Sequence, residues 1–314
     1  MNFMQLMKIG FLSVTKNNLI DEILTGGLLD RNLIKVLDKN YLISKIDEIT
    51  HLSYLPGFSS GISKNDNCEE IINDLNNLKF DTAILQFLDN ISLEKFISSY
   101  FIDNKNYYAY DEKQIAYLNI KDLSEEEILT KMKYENRRII KKYYYDIKTK
   151  FSYEYDNSFH EIYSKRSIEK KYSIFYQFTK EDFYSLSQFK EIKYIGLSYD
   201  NEYLGGSFFR IFENKISGKR IDYLLTAINR EKAKNLGIRN PSNLILWDAY
   251  MYGKKNNVSL FNLGGGIKKD DSLFDYKLNM GATESIFYRL RIINKNYKNA
   301  NNLLKRINSK NFPR

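Results

Sequence analysis

From residue 147 onward, strand-period and helix-period segments succeed one another with short polar connections, and this order constrains the fold more than any other feature of the chain. "IKTKFSYEY" (147–155) alternates as a strand and precedes two helix-period segments, "SFHEIYSKRSIEKKY" (158–172) and "TKEDFYSLSQF" (179–189). Three strands follow at 192–200, 203–212 and 219–228, with turn residues between them. A helix over 240–257 comes next, with Asn240 as its cap and Pro241 in its first turn. The strand "VSLFNLGGG", a short helix "DSLFDYKLNMG" and a last strand "ESIFYRLRII" complete the series. The order is βααβββαβαβ, an α/β arrangement in which a mixed sheet is covered by helices.

Upstream the pattern is sparser. "DTAILQFLDN" (81–90) and "QIAYLNI" (114–120) read as strands, and "LEKFISSYFI" (93–102) has helical spacing. Ser124 followed by Glu127 forms a capping box that opens a helix running to residue 145, acidic at its start and basic at its end as the helix dipole favours.

With 314 residues and 43% hydrophobic content the chain can bury sizeable cores. A single cysteine, Cys68, excludes an internal disulfide framework, and two widely separated histidines, His51 and His160, give no zinc spacing, so no metal is expected. The amino-terminal stretch "MNFMQLMKIGFLSVTKNN" is interrupted by Lys8 and lacks a small-residue cleavage site, and no run of about 18 uncharged apolar residues occurs. The expectation is a cytoplasmic protein without a membrane span.

The net charge of +9 is concentrated: residues 131–150 carry +6 and residues 287–314 carry +8, leaving −5 for the rest. Arg137 and Arg138, with Lys141 and Lys142, are candidates for binding an anionic substrate or a nucleic acid. Arg230, Lys232, Lys234 and Arg239 make the approach to the 240–257 helix basic, which suits the phosphates of a donor. Gly264, Gly265 and Gly266 stand at the end of a strongly apolar strand, where glycine lets a ligand approach the backbone and successive N–H groups can bind an anionic oxygen. Among the carboxylates, Asp222 is the one expected to face a cleft and serve as a general base. Two basic patches and 26 tyrosines leave a second reading open, a nucleic-acid-binding protein without catalysis that holds the backbone and stacks bases.

The element order is that of the GNAT acyltransferase fold, and two blocks sharpen the resemblance. Residues 240–282 resemble the carboxy-terminal signature of FemAB-like peptidoglycan-bridge aminoacyltransferases and related polysaccharide-cluster acyltransferases: Leu244, Leu246 and Trp247 on a helix, Leu263, Gly264 and Gly265 at a strand end, Phe274 and Lys277 on a short helix, then Gly281. Residues 116–151 are similar to the family's mid-chain segment, an extended stretch entering a helix with an Arg- and Lys-rich end. The resemblance implies tandem GNAT-like units: residues 1–145 as a divergent first unit, joined by residues 287–314, and residues 146–286 as a second. It further implies an enzyme that forms an amide on an amino group of a cell-envelope precursor, with acyl-CoA or aminoacyl-tRNA as donor. The acceptor would be a nucleotide- or lipid-linked sugar or peptide, with tRNA and the inner face of the membrane as partners. Lys277 would stabilise the transferred carbonyl or a nearby phosphate, and Arg166 would bind the acceptor's phosphates. Direct aminolysis needs a neutral amine, an oxyanion donor and alignment, so the scarcity of His and Cys is compatible with it. The sequence departs from acetyl-CoA-using relatives in lacking their Arg/Gln-x-x-Gly-x-Gly/Ala loop before the central helix.

Overall fold

A computed structural model describes residues 32–37, 41–46, 49–54, 62, 67–103, 105–172, 177–214, 218–266, 271–305 and 307. The amino-terminal stretch containing Lys8 lies outside them. The chain divides into two compact units, residues 1–113 with 286–314 and residues 114–285. Residues 114–145, expected in the first unit, therefore sit in the second, because the helices they form pack under that unit's central helix.

In the first unit, β1 (Asn32–Leu37), β2 (Tyr41–Ile46) and β3 (Ile49–Tyr54) pair antiparallel in sequence order. β3 then runs parallel to β4 (Thr82–Phe87). α1 (Cys68–Asn77), capped by the Asn67 side chain, and α2 (Asn90–Asp103) cover these strands over a core that includes Ile71, Leu85, Phe87 and Phe96. β5 (Tyr107–Asn119) carries the chain into the second unit, and β11 (Thr283–Ile293) brings it back to pair antiparallel with β4. The short helix α10 (Ala300–Leu304) follows. Within the basic terminal segment, Arg291 is only 3% exposed and donates to Asp111 at 2.6 Å, so this part of the charge is used internally.

The second unit begins with α3 (Glu125–Lys131), whose capping box joins Ser124 and Glu127 as the sequence predicts, and α4 (Tyr134–Tyr143). These are two helices where one was expected. Met132 is extended between them, and the Lys133 amide donates to the Asn279 carbonyl instead of continuing the helix. β6 (Thr149–Ser152), α5 (Ser158–Glu169), α6 (Lys180–Ser187), β7 (Ile192–Tyr199), β8 (Glu202–Asn214) and β9 (Gly218–Ile228) come next. The series closes with α7 (Arg230–Asn235), α8 (Ser242–Lys255), β10 (Val258–Gly264) and α9 (Ser272–Asn279) before β11. The expected order is found with one addition, α7, which turns the basic connection before α8 into a helical turn capped by Asn229. Asn240, expected as the cap of α8, adopts a φ of 47°, and Pro241 takes the cap position without a side-chain bond.

The unit's strands lie in the order β5-β10-β9-β8-β7-β6. β10 runs parallel to β9 and antiparallel to β5, and the remaining neighbours are antiparallel. α8 is buried almost all round, from Asn243 to Tyr250, because one side lies on the sheet and another on α4. Its core holds Leu244, Leu246, Trp247, Phe261 and Leu263. On α5 and α6, Phe159, Tyr163 and Phe183 meet Phe208 and Tyr194 of the sheet in an aromatic cluster, with Phe159 and Phe183 ring centres 5.0 Å apart.

Candidate active site

The strand that leads into three glycines, β10, lies between β5 and β9. Phe261 and Leu263 of β10 are buried, and the parallel register with β9 runs from Val258↔Lys219 to Asn262↔Asp222. Past that pair β9 continues from Tyr223 to Ile228 along β8, while β10 turns away at Gly264. Gly264 has a φ of 72°, a region that favours glycine, and its N–H donates to the Asn262 side chain at 2.8 Å. Gly265 is required for another reason: a Cβ there would lie 2.6 Å from the backbone oxygen of Gln114 on β5. Gly266 is exposed.

Lys277 closes this turn. Asp271 caps α9 by accepting from the Phe274 amide at 2.8 Å, and Phe274 and Lys277, one turn apart, face inward. The Lys277 side chain is 6% exposed and its Nζ donates to the Gly265 carbonyl at 2.6 Å. Burial pulls its pKa down to about 8, against the opposing charge of Asp271. The third glycine-side element is Asp222, 2% exposed, whose Oδ1 accepts from Asn262 Nδ2 at 3.0 Å and lies 2.9 Å from Arg220 Nε. Its Oδ2 accepts from Arg220 Nη2 at 3.3 Å. An unbroken chain therefore runs from Arg220 through Asp222 and Asn262 to the Gly264 amide. Both carboxylate oxygens are thus engaged, and the arrangement ties the end of β10 that leads to Lys277's acceptor to β9.

Past the last parallel pair, β9 carries groups that sequence reading did not single out. Tyr223, the first residue of β9 past the parallel pair, accepts a hydrogen bond from Thr226 Oγ1, which also bonds Ser207 Oγ of β8. Burial raises the Tyr223 hydroxyl pKa, opposed by the bonds from Thr226 and Ser207 and by the charge of Arg166. Arg166 of α5 thus lies within electrostatic reach of the opening, with its Nε donating to Tyr172 at 3.3 Å. Tyr223 in turn acts on Tyr276, the residue before Lys277. Ser207 and Thr226 lie 19 positions apart and meet only through the β8–β9 register, which no local pattern encodes.

The other expected residues occupy separate places. α4 docks on the end of α9, where Asn136 donates to the Asn279 carbonyl at 2.9 Å and accepts from Asn243 at 2.9 Å. Arg137 and Arg138 follow on its outer surface, Arg137 beside the Tyr134 ring, and Lys141 is paired with Glu126 at 3.1 Å. Before α8, Arg230 and Arg239 are exposed, whereas Lys232 pairs with Glu202 at 2.7 Å. Asp248 is buried in α8, its pKa raised by desolvation against the Tyr144 and Tyr153 hydroxyls donating at 2.8 and 3.0 Å and the nearby Lys193. That places it in the packing of α8.

Among solved structures the chain is similar to FemX, with 12% identity over 92% of this chain and 96% of that one and a TM-score of 0.59. The chain shares the fold of FemX. The C-terminal DUF2156 domain of a putative lysylphosphatidylglycerol synthetase from Agrobacterium fabrum also matches, at 11% identity, 92% and 95% coverage and a TM-score of 0.53. A conserved protein of unknown function from Bacteroides thetaiotaomicron matches at 10% identity, 87% and 90% coverage and a TM-score of 0.56. No family model and no curated relative matches the sequence. Among the described residues no helix is long and apolar enough to cross a membrane, and no group of His, Cys, Asp and Glu is arranged to hold a metal ion.

Proposed function

We propose that the chain is an acyl- or aminoacyltransferase that forms an amide on an amino group of a peptidoglycan or polysaccharide precursor, with acyl-CoA or aminoacyl-tRNA as donor. The observation that carries this reading is Lys277, a buried cation fixed by the Gly265 carbonyl at the point where two parallel strands part in a FemAB-like fold. One of its three N–H groups is committed to Gly265, leaving two to stabilise a developing oxyanion. The neutral amine of the acceptor attacks the acyl carbon, the bond to the donor's sulfur or oxygen breaks, and the amine proton leaves to the departing group or to solvent. With a pKa of about 8, Lys277 is mostly cationic at neutral pH, the form such stabilisation needs.

In this reading Arg166 binds the phosphates of a nucleotide- or lipid-linked acceptor through its guanidinium fork. The amino-terminal end of α8, which has no side-chain cap, takes the donor's phosphates with help from Arg230 and Arg239. Lys232, engaged with Glu202, contributes less. Gly264 and Gly266 leave the backbone open to the acyl group, and exposed Arg138 with half-buried Arg137 offers a basic surface for tRNA or for an anionic acceptor held at the inner face of the membrane, in the cytoplasm. The nucleic-acid-binding alternative draws on the same basic residues, but the pairing of Arg291 with Asp111 and of Lys141 with Glu126 removes part of the charge it requires.

The test is the melting-temperature shift of the purified protein with CoA, acyl-CoAs, an aminoacyl-tRNA mimic and nucleotide-linked amino sugars at two salt concentrations. Stabilisation by one donor class that Lys277→Ala abolishes is the expected result. Salt-sensitive stabilisation by any polyanion, unaffected by Lys277→Ala, would return the protein to the class of nucleic-acid binders.

A further inference from the structure

Three helices of the second unit meet at one buried, hydrogen-bonded point. Asn136, in the first turn of α4, donates from Nδ2 to the carbonyl of Asn279, the last residue of α9, at 2.9 Å. The Lys133 amide donates to the same carbonyl at 2.9 Å. Asn243, in the first turn of α8, donates from Nδ2 to Asn136 Oδ1, again at 2.9 Å. The far end of this series fixes the orientation of both side-chain amides. A carbonyl oxygen only accepts, so Asn136 must turn its Nδ2 to Asn279 and its Oδ1 to Asn243, which must answer with Nδ2. Asn243 Oδ1 is thereby left without a donor among the described residues, although Asn243 is fully buried and Asn136 is only 7% exposed.

This is an expensive way to join helices. A buried acceptor without a partner lowers stability, and two apolar side chains would fill the same space without that loss. What the amides supply and apolar side chains cannot is a fixed register, because each bond has a length and a direction. The element held in register is α9. Past Asn279, the Tyr250 hydroxyl of α8 donates to the Met280 carbonyl at 3.3 Å. Gly281, at a φ of 91°, then passes so close to the end of α3 that a Cβ there would lie 3.2 Å from that of Lys131. Lys277 stands two residues before Asn279, so whatever fixes this end of α9 fixes the Lys277 backbone. The charged group that acts on its ammonium, Asp271, belongs to the opposite end of the same helix.

We infer that Asn136 and Asn243 are positioning residues that lock α9 to α4 and α8 and thereby set Lys277 Nζ, buried and aimed, against the Gly265 carbonyl. The catalytic consequence rests on the transferase reading; the lock acts on Lys277 with or without a substrate. When it is released, the end of α9 shifts, water reaches the ammonium and the oxyanion donor loses its aim.

The test uses the double variant Asn136→Leu/Asn243→Leu, which removes both amides, fills their space and leaves the Lys133 amide on Asn279. Its melting temperature should stay within about 4 °C of wild type. Two readouts then report on Lys277. Urea unfolding from pH 7 to 10.5, with and without Lys277→Met, gives the pH-dependent gain due to Lys277. That gain should fall to less than half of its value in the wild-type background, because a hydrated lysine titrates near 10.5 in both states. Steady-state amide formation, with acetyl-CoA and a 3′-O-alanyl adenosine ester as donors and a UDP-linked amino sugar as acceptor, should show kcat about tenfold lower with KM within about twofold. The alkaline limb of kcat should move to higher pH. A folded double variant with the wild-type pH-dependent gain, or with wild-type kcat, overturns the inference and leaves the transferase reading standing. If wild type forms no amide with either donor, the transferase reading falls and the urea comparison alone decides the lock. Should the double variant not fold, Asn243→Ala, which frees Asn136 Oδ1 while opening only a small space, goes through the same measurements and is judged by the same results.

Discussion

Lys277 offers a test that needs no substrate. Its ammonium is buried with one fixed acceptor, the Gly265 carbonyl, and burial moves its pKa from 10.5 to about 8. Below pH 8 the proton is held in the folded and the unfolded chain alike. Between pH 8 and 10.5 only the unfolded chain holds it, so raising the pH favours folding; above 10.5 neither state does. Each pH unit inside that window is worth about 1.4 kcal/mol, which makes the whole gain about 3 kcal/mol. Lys277→Met fills similar space without a titrating group, so subtracting its stability from that of wild type removes the contributions of the tyrosines and every other shared group. The assay is urea unfolding of both proteins at half-unit steps from pH 7 to 10.5, read by Trp247 fluorescence. Wild type should gain on the variant by about 3 kcal/mol across the range, nearly all of it above pH 8. Parallel stability curves would show that Lys277 titrates as an exposed lysine and would refute the buried arrangement.

Gly265→Val should destabilise the protein by about 1–3 kcal/mol, since its Cβ would meet the Gln114 carbonyl oxygen at 2.6 Å; an unchanged denaturation midpoint would mean that β5 and β10 are farther apart than described. Loss of activity in that variant would then report the fold as well as the site. Asp222→Ala should cost about 3 kcal/mol in urea unfolding, because Arg220 and Asn262 lose their shared acceptor, and Asp222→Asn should recover part of it. If Asp222 were instead a general base, Asp222→Asn would abolish activity without loss of stability. Ser124→Ala removes the capping-box acceptor of α3 and should lower stability by about 1 kcal/mol in thermal unfolding; no change would show that the cap is replaced by water.

The parts of the fold that were readable are those fixed by short-range chemistry. The Ser124–Glu127 box, the strand meander over 192–228 and the placing of Lys277 one turn from Phe274 all follow from residues within a few positions of each other. Where a distant partner decides, the pattern misleads. The helix expected to run to residue 145 breaks at Met132 because Asn279, far along the chain, accepts from the Lys133 amide and the Asn136 side chain. The glycine run was readable as a strand end but not in its division of labour: Gly264 serves a left-handed turn and Gly265 a close strand approach, and only the register of β10 with β5 separates them. Asp222 was expected to face a cleft from its place on the third strand of the meander; its partners Arg220 and Asn262, on its own strand and on the next one, could not be read from that pattern. The Ser207–Thr226–Tyr223 series was invisible because it depends on which residues of two strands face each other, and a shift of one position would scatter it.

The most direct measurement of the account is amide formation by wild type and Lys277→Ala, run side by side with acyl-CoA and aminoacyl-ester donors on a nucleotide-linked amino sugar, with both proteins verified as folded. The account predicts turnover with one donor class and a loss of about a hundredfold or more in the variant. Equal rates in the two proteins, or no amide product from any donor, would contradict it.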